Sequence, residues 1–243
     1  MNKGKLIVAN WKMNFLYKNA FNFCKKILLK KKLIKNKFVI CPPTTLILQL
    51  SSKFKGITFG AQDCHYEKLG AYTGDISALM LKDINCKHVI IGHSERRKYY
   101  FEDHIILKRK IESVINAGLI PIYCIGEDIS IKRKGKTKNH LLRQLLNTLP
   151  KKNKNKIIIA YEPIWSIGTG NTPTVNEIED VNLYIKKIIT KINLSYEKTS
   201  ILYGGSVNKH NSLVFLDNKN IDGLLIGGAS LNLNTFSSIL TYK

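Results

Sequence analysis

At 243 residues with 44% hydrophobic side chains, the chain is long enough for one large domain or two small ones around a sizeable core. No apolar run approaches the ~18 residues of a membrane span, and the five cysteines are scattered without a C-x-x-C pair, which excludes a disulfide frame and a zinc ribbon. The formal charge of +22 favours an anionic partner, whether nucleic acid, acidic membrane or phosphorylated metabolite.

The lysines scatter along helix-like faces and form no single tract. Compositional drift toward Lys, Asn and Ile is therefore the leading account of the charge, and neither nucleic acid nor a membrane is expected as a partner. The apolar run following the first residues is too short for a signal-peptide core. The thiols are expected to be free in a reducing cytoplasm.

Apolar runs of strand length recur, each followed by an amphipathic stretch of helix length. The pattern predicts strands over 5–10, 37–41, 57–62, 88–91, 119–124, 156–162, 200–203 and 223–226. Helices are predicted over 17–31, 44–53, 77–82, 102–116, 138–149, 175–192, 209–216 and 231–240. The strands are apolar throughout and do not alternate, so both faces are buried and the sheet is parallel. Eight such units with no linker between them fit one closed (β/α)8 barrel spanning 1–243. The runner-up is a doubly wound open sheet. Its usual glycine-rich phosphate turn is missing after the first strand, which ends in Asn10-Trp11-Lys12.

In a barrel, catalytic groups stand at the C-terminal ends of the strands. Reading off those ends gives Asn10 and Lys12, then His93 and Glu95, then Glu162, and finally the glycine turns Gly204-Gly205-Ser206 and Gly227-Gly228. Glu162 ends an apolar run at Pro163, which lacks the N–H to extend a central strand. An apolar loop tip with Gly168 and Gly170 follows, the pattern of a base beneath a lid. The glycine turns sit where barrels hold phosphate through backbone N–H groups. Ser206 also stands where a helix N-cap would. Lys132-Arg133-Lys134-Gly135-Lys136 reads as a solvated loop, since it has no aromatics to stack on bases. Cys64-His65 could start a metal site, but no further ligands stand at metal spacing.

Five motifs in register carry a resemblance across the whole chain. They are Ala9-Asn10-Trp11-Lys12-Met13-Asn14, Gly92-His93-Ser94-Glu95-Arg96-Arg97, the segment from Ala160 to Gly170, Tyr203-Gly204-Gly205-Ser206-Val207 and Gly227-Gly228-Ala229-Ser230-Leu231. With them the sequence resembles the triosephosphate isomerases. The resemblance implies a TIM barrel that interconverts glyceraldehyde 3-phosphate and dihydroxyacetone phosphate through an enediolate, in glycolysis and gluconeogenesis, with no cofactor and no metal. It implies Glu162 as the base, His93 as a neutral electrophile and Lys12 as the fixed cation, the roles that the family plays in pKa tuning. Asn10 would position the site, and Glu95 would be the adjacent supporting or proton-relay carboxylate of the catalytic set. Asn10, Lys12, Ile167, Gly168, Ser206, Gly227 and Gly228 would bind substrate and phosphate. The lid would be Pro163, Ile164, Trp165, Ser166, Ile167, Gly168, Thr169 and Gly170. Cys124 resembles the family's buried cysteine.

The loop from Asp63 to Ile76 is long for a barrel connection. The resemblance makes it an arm whose Thr73 reaches a second copy, implying a cytoplasmic homodimer. Three departures from the family stand out. Phe101 replaces a glycine, Ile131-Lys132 replaces an acidic-arginine pair, and Asn171-Thr172-Pro173 replaces Lys-Thr-Ala. None is expected to touch the chemistry. Pro173 removes an amide that would latch the closed lid to Tyr203, while the latch from Gly170 to Ser206 is expected to survive.

Overall fold

In a computed structural model, which describes residues 4–150, 155–168, 171–192 and 199–242, all eight expected strands form. They are β1 (Leu6–Asn10), β2 (Lys37–Cys41), β3 (Thr58–Ala61), β4 (His88–Ile91), β5 (Ile120–Ile125), β6 (Ile158–Tyr161), β7 (Ser200–Tyr203) and β8 (Gly223–Ile226). They pair in parallel in chain order, and β1 closes the ring on β8. Burial on both faces explains why the strands are apolar throughout. Val8, Val39, Ile90, Ile122, Ile158 and Leu202 pack together as one cluster inside the barrel. Their neighbours Ile7, Ala9, Ile40, Val89 and Ile91 belong to the larger cluster beneath the helices.

Among the described residues the helices are α1 (Tyr17–Leu29), α2 (Thr44–Lys53), α3 (Ala78–Asp83), α4 (Ser94–Tyr99), α5 (His104–Asn116), α6 (Ile129–Arg133), α7 (Thr137–Thr148), α8 (Val175–Lys191), α9 (Asn211–Asp217) and α10 (Leu233–Thr241). The predicted boundaries hold to within about two residues. The start at 102 moves to His104 because the Asp103 carboxylate accepts from the amides of Ile105 and Ile106, both at 2.9 Å. Helices α4 and α6 are additions, since pieces this short carry no readable 3.6-residue period. Part of the expected solvated loop at 132–136 is thereby corrected. Asp128 accepts from the Ile131 amide at 2.9 Å, caps α6, and carries Lys132 into the helix.

The seam of the barrel depends on a glycine. Gly223 lies opposite Leu6, and a Cβ there would stand 1.8 Å from the Leu6 carbonyl oxygen. Only a residue without a side chain lets β1 and β8 approach this closely. On the outer side, a buried ion cluster ties the loop after β3 to α4 and α5. Lys110 Nζ lies 2.7 Å from both Asp63 and Glu102, and Arg96 lies 2.6 Å from Glu102 and 2.9 Å from Asp63. Burial pushes the Asp63 carboxyl up to about 6 even against Lys110 and Arg96.

Candidate active site

The C-terminal ends of the strands surround a cavity of about 280 Å³. Its walls include Asn10, Lys12, His93, Glu162, Gly204–Ser206 and Gly227–Gly228, so the catalytic set expected from sequence, apart from Glu95, opens onto one space with both glycine turns.

Each side chain is fixed by its element. Asn10, the last residue of β1, is buried, and its Oδ1 accepts from the Lys12 amide at 3.1 Å. Lys12 has φ of 51°, a left-handed backbone unusual for lysine. Gln62 stabilises that turn by donating Nε2 to the Lys12 carbonyl at 2.8 Å and to the Cys41 carbonyl at 2.9 Å. The Lys12 ammonium meets Glu95 Oε1 at 2.6 Å, which places Glu95 against the cation. His93 follows β4 as the N-cap of α4, and its Nδ1 accepts from the Glu95 amide at 3.2 Å. A ring nitrogen that accepts carries no proton, so the proton resides on Nε2 and the ring is neutral. His93 Nε2 stands 3.5 Å from Glu162 Oε1.

Glu162 is almost wholly buried. Its Oε2 accepts from the Ser94 amide at 3.2 Å, and Pro163 carries the chain away from the sheet. Gly204 makes room for it, since a Cβ there would lie 2.9 Å from Glu162 Cγ. Cys124 is fully buried at the end of β5, as expected, and burial beside Glu162 pushes its thiol well up.

Beyond Glu162 the chain makes a single 3-10 turn, Ile164–Ser166. Trp165 is half-buried and not the exposed tip that the sequence suggested, because two groups hold it. Its indole N–H donates to Glu127 Oε1 at 3.1 Å, and Lys132 Nζ lies 3.6 Å from the ring centroid. Lys132 also meets Glu177 at 2.9 Å, and Glu177 belongs to the capping box that starts α8 at Thr174. Lys132, at one of the departures from the family, thus bridges the loop after β6 to the start of α8. Tyr161 shares the same carboxylate, its hydroxyl 3.1 Å from Glu127 Oε1. Burial raises the Glu127 carboxyl, partly offset by the hydrogen bond from Trp165.

Ser206 accepts from the Gly168 amide at 3.1 Å and donates to the Ser166 carbonyl. It does not cap α9, whose first turn follows His210, with Asn208 Oδ1 accepting from the His210 and Asn211 amides instead. The expected latch from Gly170, and Thr169 with it, lie outside the described residues. Tyr203 does not wait on residue 173: its hydroxyl lies 3.4 Å from Ser166 Oγ. Gln62 and Glu127 were missed in the sequence. Glu127 had a usable signal, being a carboxylate just past the end of β5. Gln62 had none beyond its place after β3. Among the described residues, no three His, Cys, Asp or Glu side chains gather closely enough to hold a metal ion.

A closed (β/α)8 barrel whose strand ends bring a buried carboxylate, a neutral imidazole and a cation to one cavity edged by glycine turns defines the class of phosphate-binding barrel enzymes. The family model for triosephosphate isomerase matches residues 5–243. The triosephosphate isomerase of Dictyoglomus thermophilum is 44% identical over 97% of this chain and 98% of its own. That of Wolbachia pipientis is 42% identical over 97% and 92%. The crystal structure of the Bartonella henselae triosephosphate isomerase superposes with a TM-score of 0.86 at 36% identity, covering 97% of both chains. The chain belongs to the triosephosphate isomerase family and is an isomerase acting on a triose phosphate.

Proposed function

We propose that the side chains around this cavity carry out the isomerisation in the following roles. Glu162 takes the proton from the carbon beside the carbonyl of glyceraldehyde 3-phosphate and returns it to the neighbouring carbon, giving dihydroxyacetone phosphate. His93 donates its Nε2 proton to the carbonyl oxygen and recovers one from the adjacent hydroxyl. Lys12 stabilises the enediolate oxygen and the phosphate dianion together. The amides of Gly168, Ser206 and Gly228, with Ile167 and Gly227 beside them, hold the phosphate. In the resting arrangement the Ser94 amide keeps the Glu162 carboxylate turned toward α4. Closure of the 163–170 lid then excludes water while the carboxylate swings to the carbon.

The observation that carries this reading is the 3.5 Å approach of Glu162 Oε1 to His93 Nε2 in a cavity that also holds Lys12 and both glycine turns. Base and electrophile face one small substrate without blocking its phosphate end.

The whole chain acts as one catalytic domain, working as a cytoplasmic homodimer. Support for the dimer is the apolar upper rim. Met13 is 95% exposed and Leu69 72%, and Thr73 stands exposed on the arm between Leu69 and Ile76. The arm is shaped in advance by His65, whose ring stacks on Tyr66 and Tyr72 at 4.1 and 4.3 Å.

The test is a coupled isomerase assay with glyceraldehyde 3-phosphate on the wild type and Glu162→Asp. The shorter side chain still ionises but stops ~1 Å short, so kcat falls on the order of 100-fold with little change in KM. A variant within twofold of wild type removes Glu162 from the role of base.

A further inference from the structure

Lysines that are scattered in sequence converge in space. The loops that lead from a helix into the next strand all lie at the N-terminal end of the barrel, opposite the cavity. In these loops, or at the first residue of the strand, stand Lys35, Lys37, Lys55, Lys87, Lys156 and Lys219. All six are exposed, and none makes an ion pair among the described residues. They enter β2, β3, β4, β6 and β8, so they ring the barrel end. The loops lie against one another: Lys31 Nζ sits beside Gly56 in the next loop, and Lys82 Nζ sits beside Gly118. Across the same loops, the one carboxylate among the described residues is Asp222, and it is occupied by the Ile201 amide at 2.8 Å.

Helix dipoles account for lysines in a last helical turn, but these six lie beyond the helix ends. Drift accounts for many lysines, but not for loops nearly free of carboxylates at one end and rich in them at the other. We propose that this end of the barrel docks on an anionic lipid surface.

Three observations favour lipid over nucleic acid. First, the ring contains ammoniums and no guanidinium, the cation suited to bidentate phosphate contacts. An ammonium acts as a point charge, which suits a diffuse anionic plane. Second, among the described residues no exposed aromatic side chain stands in these loops to stack on a base. Third, Leu29 and Leu33 are 78% and 62% exposed on the stretch that also holds Lys30, Lys31 and Lys32. Basic side chains flanking exposed leucines suit a headgroup layer with acyl chains beneath. The cavity then faces away from the membrane, so docking leaves substrate access open.

The experiment is co-sedimentation of the full chain with phosphatidylcholine vesicles that contain or lack phosphatidylglycerol. Binding is expected only with phosphatidylglycerol and weakens as salt rises. The triple variant Lys35→Glu, Lys37→Glu, Lys55→Glu is expected to bind about tenfold or more weakly with unchanged kcat/KM. The matched triple at the other end, Lys98→Glu, Lys134→Glu, Lys136→Glu, is expected to bind nearly as wild type does. Leu29→Ser with Leu33→Ser is expected to lose the salt-resistant part of binding. Four results would overturn the proposal: no preference for phosphatidylglycerol, equal loss in both triple variants, wild-type binding by the leucine variant, or retention of a single-stranded oligonucleotide at salt that releases the vesicles.

Discussion

The two ends of the barrel are made by the same eight strands and handle charge in opposite ways. At the C-terminal end, cations near the cavity meet carboxylates: Lys12 with Glu95, Arg96 with Glu102, Lys110 with Asp63. These contacts fix side chains in place, which catalysis needs, because a misplacement of ~1 Å costs on the order of 100-fold. At the N-terminal end the lysines stand apart in water, and the one buried imidazole, His88, is held neutral. At the first end the geometry of each contact matters. At the second end only the field of the charges matters, and no single position does. Substitutions should therefore separate activity from stability according to the end they touch.

The largest effect is expected from Glu162→Gln, which keeps shape and burial but removes the carboxylate proposed as the base. The kcat should fall by up to about 10⁴-fold, while the urea midpoint changes little. A large loss of stability instead would mean that Glu162 is part of the frame and that the division between the ends is wrong. Gly223→Ala is the mirror experiment. The added Cβ meets the Leu6 carbonyl at the seam, so stability should fall by about 3 kcal/mol, with kcat/KM of the folded fraction unchanged. Activity falling faster than folded protein would place the seam in the chemistry.

The next effect depends on pH. Burial, aided by Lys156, pushes the His88 imidazole from 6.5 down to about 4. The folded state therefore needs the neutral ring. The stability this allows is present above pH 6.5 and is lost as pH falls toward 4. Asp63, raised from 3.8 to about 6, runs the other way: its contribution is present below 3.8 and is lost as pH rises through about 6. One group sits at each end of the barrel, and their slopes oppose. In urea unfolding, His88→Gln should gain on the wild type by roughly 2–3 kcal/mol between pH 6.5 and pH 4. A constant offset across that range would show that His88 is not the titrating group.

The smallest effect is at Phe101, 82% exposed on the upper rim with φ of 54°. A bulky residue in left-handed backbone costs on the order of 1–2 kcal/mol, so Phe101→Gly should raise stability by about 1 kcal/mol. A lower thermal midpoint would mean that the exposed ring packs against a second copy.

The frame was legible because burial on both faces writes itself into uninterrupted runs such as Ile157–Ala160, and eight such runs leave few ways to close a sheet. Glu162, His93 and Lys12 were legible because strand ends in a barrel converge. Lys132 was not. Its partners are Trp165 on the loop after β6 and Glu177 in the next helix, both far off in sequence, and the short helix that aims it carries no period. The ring of lysines was obscured for the opposite reason. Its members are adjacent only after the barrel closes, and along the chain they look like drift.

Trp11 and Trp165 are the chain's two tryptophans. Trp11 is sealed at 0% exposure among Phe15 and Phe23, with ring centroids at 4.6 and 5.3 Å. Trp165 lies under the Lys132 ammonium on the loop proposed to close over the cavity. The emission spectrum of the unlabelled protein therefore sums a sealed indole and a loop indole, and the part of any change on adding a phosphorylated ligand that disappears in Trp165→Phe is expected to report the loop after β6.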